Sequence, residues 1–114
     1  MKLLTEITSD YKQKHRVVLE NGEEFDFTLE FIEQQEGWFY SIKYGDNFEI
    51  KGQRLVLGMN ILRKWKNLLP FGIGVISENL IEPSLIDDFI SGRVDINILN
   101  SSDVQYIEEQ VYGQ

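Results

Sequence analysis

Residues 24–31 read Glu-Phe-Asp-Phe-Thr-Leu-Glu-Phe, so Phe25, Phe27, Leu29 and Phe31 occupy alternate positions with polar residues between them. Alternation with period two sends successive side chains to opposite faces of an extended strand, and these four require one buried face. A helix would scatter the same residues around its circumference. A strand of this kind needs hydrogen-bonded neighbours and a second layer to cover its apolar side.

The neighbours are legible on both sides. Gln13–Leu19 leads into the strand through Glu20-Asn21-Gly22, and Asn-Gly is a strong hairpin signal. A two-residue loop would set Val17 opposite Asp26 and mix the faces. A three-residue loop with Gly22 left-handed pairs Leu19 with Glu23, Val17 with Phe25 and His15 with Phe27. The latter register is expected, because a slip of one residue would carry a whole apolar set into solvent. Beyond the polar loop 33–37, Trp38, Tyr40, Ile42 and Tyr44 share a face of the next strand. A turn at Gly45-Asp46-Asn47, a short strand Phe48–Ile50, a turn at Lys51-Gly52-Gln53 and a strand Arg54–Leu57 complete a meander.

From Asn60 the period changes. Ile61, Leu62, Trp65, Leu68 and Leu69 fall at helical spacing, predicting a short amphipathic helix that ends before Pro70. Phe71–Ser77 and Arg93–Leu99 read as strands, and between them Ser84 and Asp87 suggest an N-capped single turn over Leu85–Ile90, stopped by Gly92. Residues 102–111 read as a short helix with Val104, Ile107 and Val111 on one stripe, or alternatively as a strand over 106–112. The 114 residues include no Cys and no Ala, but many Ile, Val, Phe and Tyr. The expectation is a mainly β protein: a small single-domain antiparallel barrel or sandwich over 1–114, with one or two short helices. Neither a signal peptide nor a span of the roughly 20 apolar residues a membrane helix requires is visible, which predicts a soluble chain with no membrane partner.

Chemistry-bearing constellations are sparse. Without Cys there is no thiolate nucleophile, thiolate metal site or disulfide. His15 is the single imidazole and lacks a serine nucleophile motif, so it reads as a core-edge histidine. Glu23-Glu24 would point to opposite faces of a strand, and Asp87-Asp88 sits at a helix start where acids are favoured; both pairs read as solvated surface. Gly72 and Gly74 form a G-x-G, but Ser77 stands where a dinucleotide fingerprint needs Gly or Ala, so a close backbone approach is the better reading. No catalytic, metal or cofactor site is predicted, and the chain is not expected to be an enzyme.

Charge is the informative feature. The formal net charge is −8, yet no acid occurs between Glu49 and Glu78, where Lys51, Arg54, Arg63, Lys64 and Lys66 are basic; from Glu78 onward eight acids meet only Arg93. A two-faced surface follows. With Trp65 set among Arg63, Lys64 and Lys66, a small β-barrel nucleic-acid-binding protein is the alternative reading. The net negative charge and the place of Trp65 on the apolar stripe weigh towards a protein-docking face instead.

The order of Phe25-Asp26-Phe27-Thr28-Leu29, Gly37-Trp38-Phe39-Tyr40-Ser41-Ile42, Gly58-Met59-Asn60-Ile61-Leu62, Leu68-Leu69-Pro70-Phe71-Gly72-Ile73-Gly74 and Asp87-Asp88-Phe89-Ile90-Ser91-Gly92-Arg93-Val94-Asp95-Ile96 resembles the baseplate plug family of contractile phage tails, of the cyanophage type. The resemblance spans about 12–99, and 100–114 reads as a C-terminal extension. The strand Ile96-Asn97-Ile98-Leu99 departs from the family in lacking terminal aromatics. The resemblance implies a structural virion protein of phage or prophage, placed in the tail baseplate and in the host cytoplasm before assembly. It would plug the tail-tube lumen and contact hub and spike proteins. It implies no cofactor, and a homo-oligomer stays open. The expected docking surface comprises Lys51, Arg54, Arg63, Lys64, Lys66 and Phe71, facing an acidic hub surface.

Overall fold

The computed structural model describes residues 1–113. Its strands are β1 (Lys2–Leu3), β2 (Lys12–Val18), β3 (Glu24–Ile32), β4 (Gly37–Tyr44), β5 (Phe48–Arg54), β6 (Gly72–Ser77) and β7 (Val94–Leu99), followed by helix α1 (Ser101–Ile107). They form two antiparallel sheets, ordered β2-β3-β4-β5 and β1-β7-β6, and do not close into a barrel. The protein is mainly β, as its alternation predicts.

The register of β2 on β3 pairs Val17 with Phe25 and His15 with Phe27. The Leu19 amide donates to the Glu23 carbonyl at 2.7 Å, and Gly22 has φ +89°, so the three-residue loop with a left-handed glycine is the one formed. Phe25, Phe27, Leu29 and Phe31 are all buried, and they join Trp38, Tyr40 and Ile42 of β4 and Ile73, Val75, Val94 and Ile96 of β6 and β7 in one cluster. The Trp38 indole donates to the Leu85 carbonyl at 3.0 Å, so its polar edge is satisfied inside the core.

Three local expectations are corrected. The turn at Lys51-Gly52-Gln53 is instead a bulge in the continuous strand β5: Tyr40 pairs with Gln53 and Ile42 with Ile50, leaving Lys51 and Gly52 opposite Ser41 alone. Gly52 takes φ +62° there, and its amide donates to the Ser41 hydroxyl at 3.1 Å. The helix expected over 61–69 shrinks to one 3-10 turn, Arg63–Trp65. Its first amides are already engaged: Ile61 donates to the Ile73 carbonyl, and the Asn60 side chain accepts from both Leu62 and Ile73. The third correction concerns Asp88. Its side chain is 2% exposed and accepts from the Ser84 and Leu85 amides, so Asp88, not the Ser84 side chain, caps this turn, and it is not solvated surface.

The segment 58–62 lies along the outer edge of β6, where Gly58 and Val75 exchange both backbone hydrogen bonds. Residues on this segment press on the two strand glycines: a Cβ at Gly72 would lie 2.6 Å from Asn60 Oδ1, and one at Gly74 would lie 3.0 Å from the Met59 carbonyl oxygen. The close approach read from the G-x-G is therefore internal. On the other side of this sheet the two-residue strand β1 pairs with β7 and forms the second, very short edge. At the C-terminus the helical alternative holds: Asn100 caps α1 in a reciprocal capping box with Asp103, and a π turn, Glu108–Tyr112, extends it.

Candidate docking surface

The acid-free stretch begins on β5, the edge strand of the four-stranded sheet. Lys51, at the bulge, is 77% exposed and has Glu49 at 3.9 Å. Arg54, at the end of β5, donates to the Gln35 carbonyl at 3.1 Å and lies over the Phe39 ring at 4.8 Å. A Cβ at Gly37 would meet this guanidinium, the mobile end of a long exposed side chain that can swing aside.

Arg63, Lys64 and Lys66 come from the 3-10 turn and the residue after it. The apolar side of this turn is seated by Trp65, whose ring meets Phe48 of β5 edge-on at 6.3 Å. That contact links the turn to the strand that carries Lys51 and Arg54. Lys64 reaches back over Trp65 at 5.4 Å. Arg63 and Lys66 are engaged by the chain itself: Arg63 Nε donates to Glu108 Oε2 and Lys66 Nζ to Glu108 Oε1, each at 2.8 Å. Arg63 also lies 4.1 Å from the centre of the Tyr112 ring. The hydrogen bonds from Lys66 and Arg63 hold the Glu108 carboxyl below its ordinary range.

Phe71 requires a correction. It is 1% exposed, stacked at 4.0 Å on Phe25 and met edge-on by Tyr44 at 5.5 Å, so it is a core residue with no surface to offer. The aromatic that follows a proline and precedes two glycines faces inward because those glycines are backed by Asn60 and Met59, leaving the inter-sheet space for its ring. The five cations do reach the surface, in two groups: Lys51 and Arg54 on β5, and Arg63, Lys64 and Lys66 around Trp65. Glu108 is the neighbour of these cations that the sequence does not reveal. It lies 45 residues from Arg63 and 42 from Lys66, and no local spacing reports such a contact.

His15 sits at the core edge, with Nε2 and Gln13 Oε1 2.8 Å apart. Burial lowers its pKa, opposed in part by Glu6. Among the described residues no group of three or more His, Asp or Glu side chains is placed to hold a metal ion, and no helix is long and apolar enough to cross a membrane. What the basic surface offers is a set of cationic donors fixed on a β scaffold.

No curated protein matches the chain. The family model described as cyanophage baseplate Pam3 plug gp18 matches residues 1–101.

Proposed function

The chain belongs to the cyanophage baseplate plug family, and we propose that it is a non-enzymatic structural component that plugs the tail-tube lumen and docks on hub and spike proteins. The family places it with the components of a phage tail baseplate. The observation that carries the reading is the extent of the match, which takes in both sheets and the turn between them. In this reading 1–114 acts as one unit that waits in the host cytoplasm until assembly. Lys51, Arg54 and Lys64 meet acidic groups of the hub, with Arg63 and Lys66 adding to them when Glu108 lets go. A nucleic-acid platform is the poorer reading. The Trp65 ring that would stack on a base is packed against Phe48 and under Lys64, and Glu108 already occupies two of the cations.

The test uses the full chain and the hub protein of the same tail. Reversing Lys51 and Lys64 to Glu leaves the Glu108 contacts in place. It is expected to weaken capture of the hub about tenfold, with an unchanged melting temperature, because like charges then face each other across the interface. Unchanged capture by the K51E/K64E variant would remove the basic face from the interaction. Tails lacking the chain should also leak or fail to assemble at the baseplate end, and intact closed tails would remove the plug role.

A further inference from the structure

The connection between β6 and β7, residues 78–93, is folded around one ion pair. Arg93 Nε and Nη2 donate to the Asp88 carboxylate at 2.8 and 2.7 Å, while Nη1 and Nη2 donate to the carbonyls of Ile81 at 2.8 Å and Glu82 at 3.0 Å. The same guanidinium reaches the Asn79 side chain at 3.0 Å, and Asp88 accepts from the amides of Ser84 and Leu85. Backbone atoms from 81 to 85 are therefore gathered within hydrogen-bond reach of a single pair.

The arrangement inverts the usual one. The charged groups are turned inward, Asp88 at 2% exposure and Arg93 at 17%, while Leu80, Ile81, Leu85 and Ile90 are 84, 55, 62 and 57% exposed. Leu80 also has φ +61°, a backbone region that side chains with a Cβ rarely adopt, and its side chain buries little in return. A loop whose polar atoms are satisfied internally, and whose branched aliphatics are held outward, has already met the ordering cost of binding.

We infer that the 78–93 loop is a preformed docking surface for a second baseplate protein that presents an apolar socket bordered by Lys or Arg. The border follows from charge: with Asp88 neutralised by Arg93, exposed Glu78 and Asp87 leave the loop's rim acidic. A second copy of this chain is a worse occupant, because a two-fold contact would set each acidic rim against itself on molecules already carrying −8. This inference rests on the baseplate reading and deepens it: the basic face and this loop would engage different partner surfaces.

The test titrates purified hub and spike proteins of the same tail with the full chain, comparing wild type, L80D/L85D and E78K/D87K. All three should fold alike by circular dichroism, since the substituted side chains are exposed. L80D/L85D should bind one of the two partners at least about tenfold more weakly. E78K/D87K should weaken the same partner, most strongly at low salt. Wild-type affinity for both partners in L80D/L85D overturns the inference alone, most plainly where K51E/K64E still loses its hub contact. If wild type binds neither partner, the baseplate reading falls and takes this one with it. Self-association of wild type that L80D/L85D abolishes would make the occupant a second copy and also overturn it.

Discussion

Replacing Arg93 with Ala isolates what one buried pair does for this fold. The substitution leaves the Asp88 carboxylate with only its two backbone amide donors, Ser84 and Leu85, at 2% exposure, and takes the Arg93 hydrogen bond from the Ile81 and Glu82 carbonyls. Removing one partner of a buried ion pair costs about 3–5 kcal/mol. For a chain of this length each kcal/mol moves the midpoint by about 4 °C, so the expected fall in melting temperature at pH 7 is about 12–20 °C. Asp87→Asn, an exposed acid one residue away, should stay within about 0.5 kcal/mol. The pH dependence gives a second reading. Burial alone would push the Asp88 carboxyl up, but the Arg93 guanidinium and the Leu85 and Ser84 amides outweigh it and hold the group below its ordinary range. A carboxyl depressed in the folded state stabilises fully above its unfolded value of about 4, and that contribution drains away as pH falls through the lower folded value. The gap between wild type and Arg93→Ala should therefore narrow in acid. Thermal unfolding followed by circular dichroism from pH 7 down to about 3 measures both effects. A midpoint shift of less than about 3 °C would mean that the loop opens and hydrates Asp88 without disturbing the sheets, and the reasoning would fail.

Gly74→Ala places a methyl group 3.0 Å from the Met59 carbonyl oxygen, a backbone atom that moves only if the segment shielding β6 moves; the expected cost is about 1–3 kcal/mol by urea denaturation, and a neutral result would show that segment to be loose. His15 should titrate below 6.5, its ordinary value, because burial disfavours the imidazolium. The folded chain then binds fewer protons than the unfolded one just below pH 6.5, so stability should decline as pH drops through that value, and His15→Gln should remove this part of the decline. A proton NMR titration with a midpoint at or above 6.5 would contradict it.

Where sequence reasoning succeeded, the controlling physics was local and periodic. The strand at 24–32 announces itself through four apolar residues, and its register on β2 follows from keeping Val17 and Phe25 on one face across a glycine-closed loop. Where it failed, a distant partner had intervened. Ile61, Leu62 and Trp65 have helical spacing, but the Ile61 amide is committed to the Ile73 carbonyl of β6, 12 residues away, and the Leu62 amide to the Asn60 side chain. Gly52 looks like a turn until β4 supplies Ser41 opposite it. Asp87 and Asp88 look equivalent in the chain, and only the return of Arg93 selects the second for burial. For the candidate docking surface, the run of cations was visible, but the inward seat of Phe71 required knowing that Phe25 would stack on it.

The contact of Glu108 with Arg63 and Lys66 alters how the basic segment can be used by anything outside the chain. A carboxylate arriving from a partner does not meet two open cations; it meets a tethered rival already bound to both. Held on the same chain, that rival acts at an effective concentration in the millimolar range, so an acidic side chain met singly and weakly is turned away. A surface that presents several acids at once, held in the right geometry, can displace it. The Arg63 and Lys66 part of the acid-free run would thus act in three dimensions as a threshold, answering to dense negative charge and indifferent to dilute.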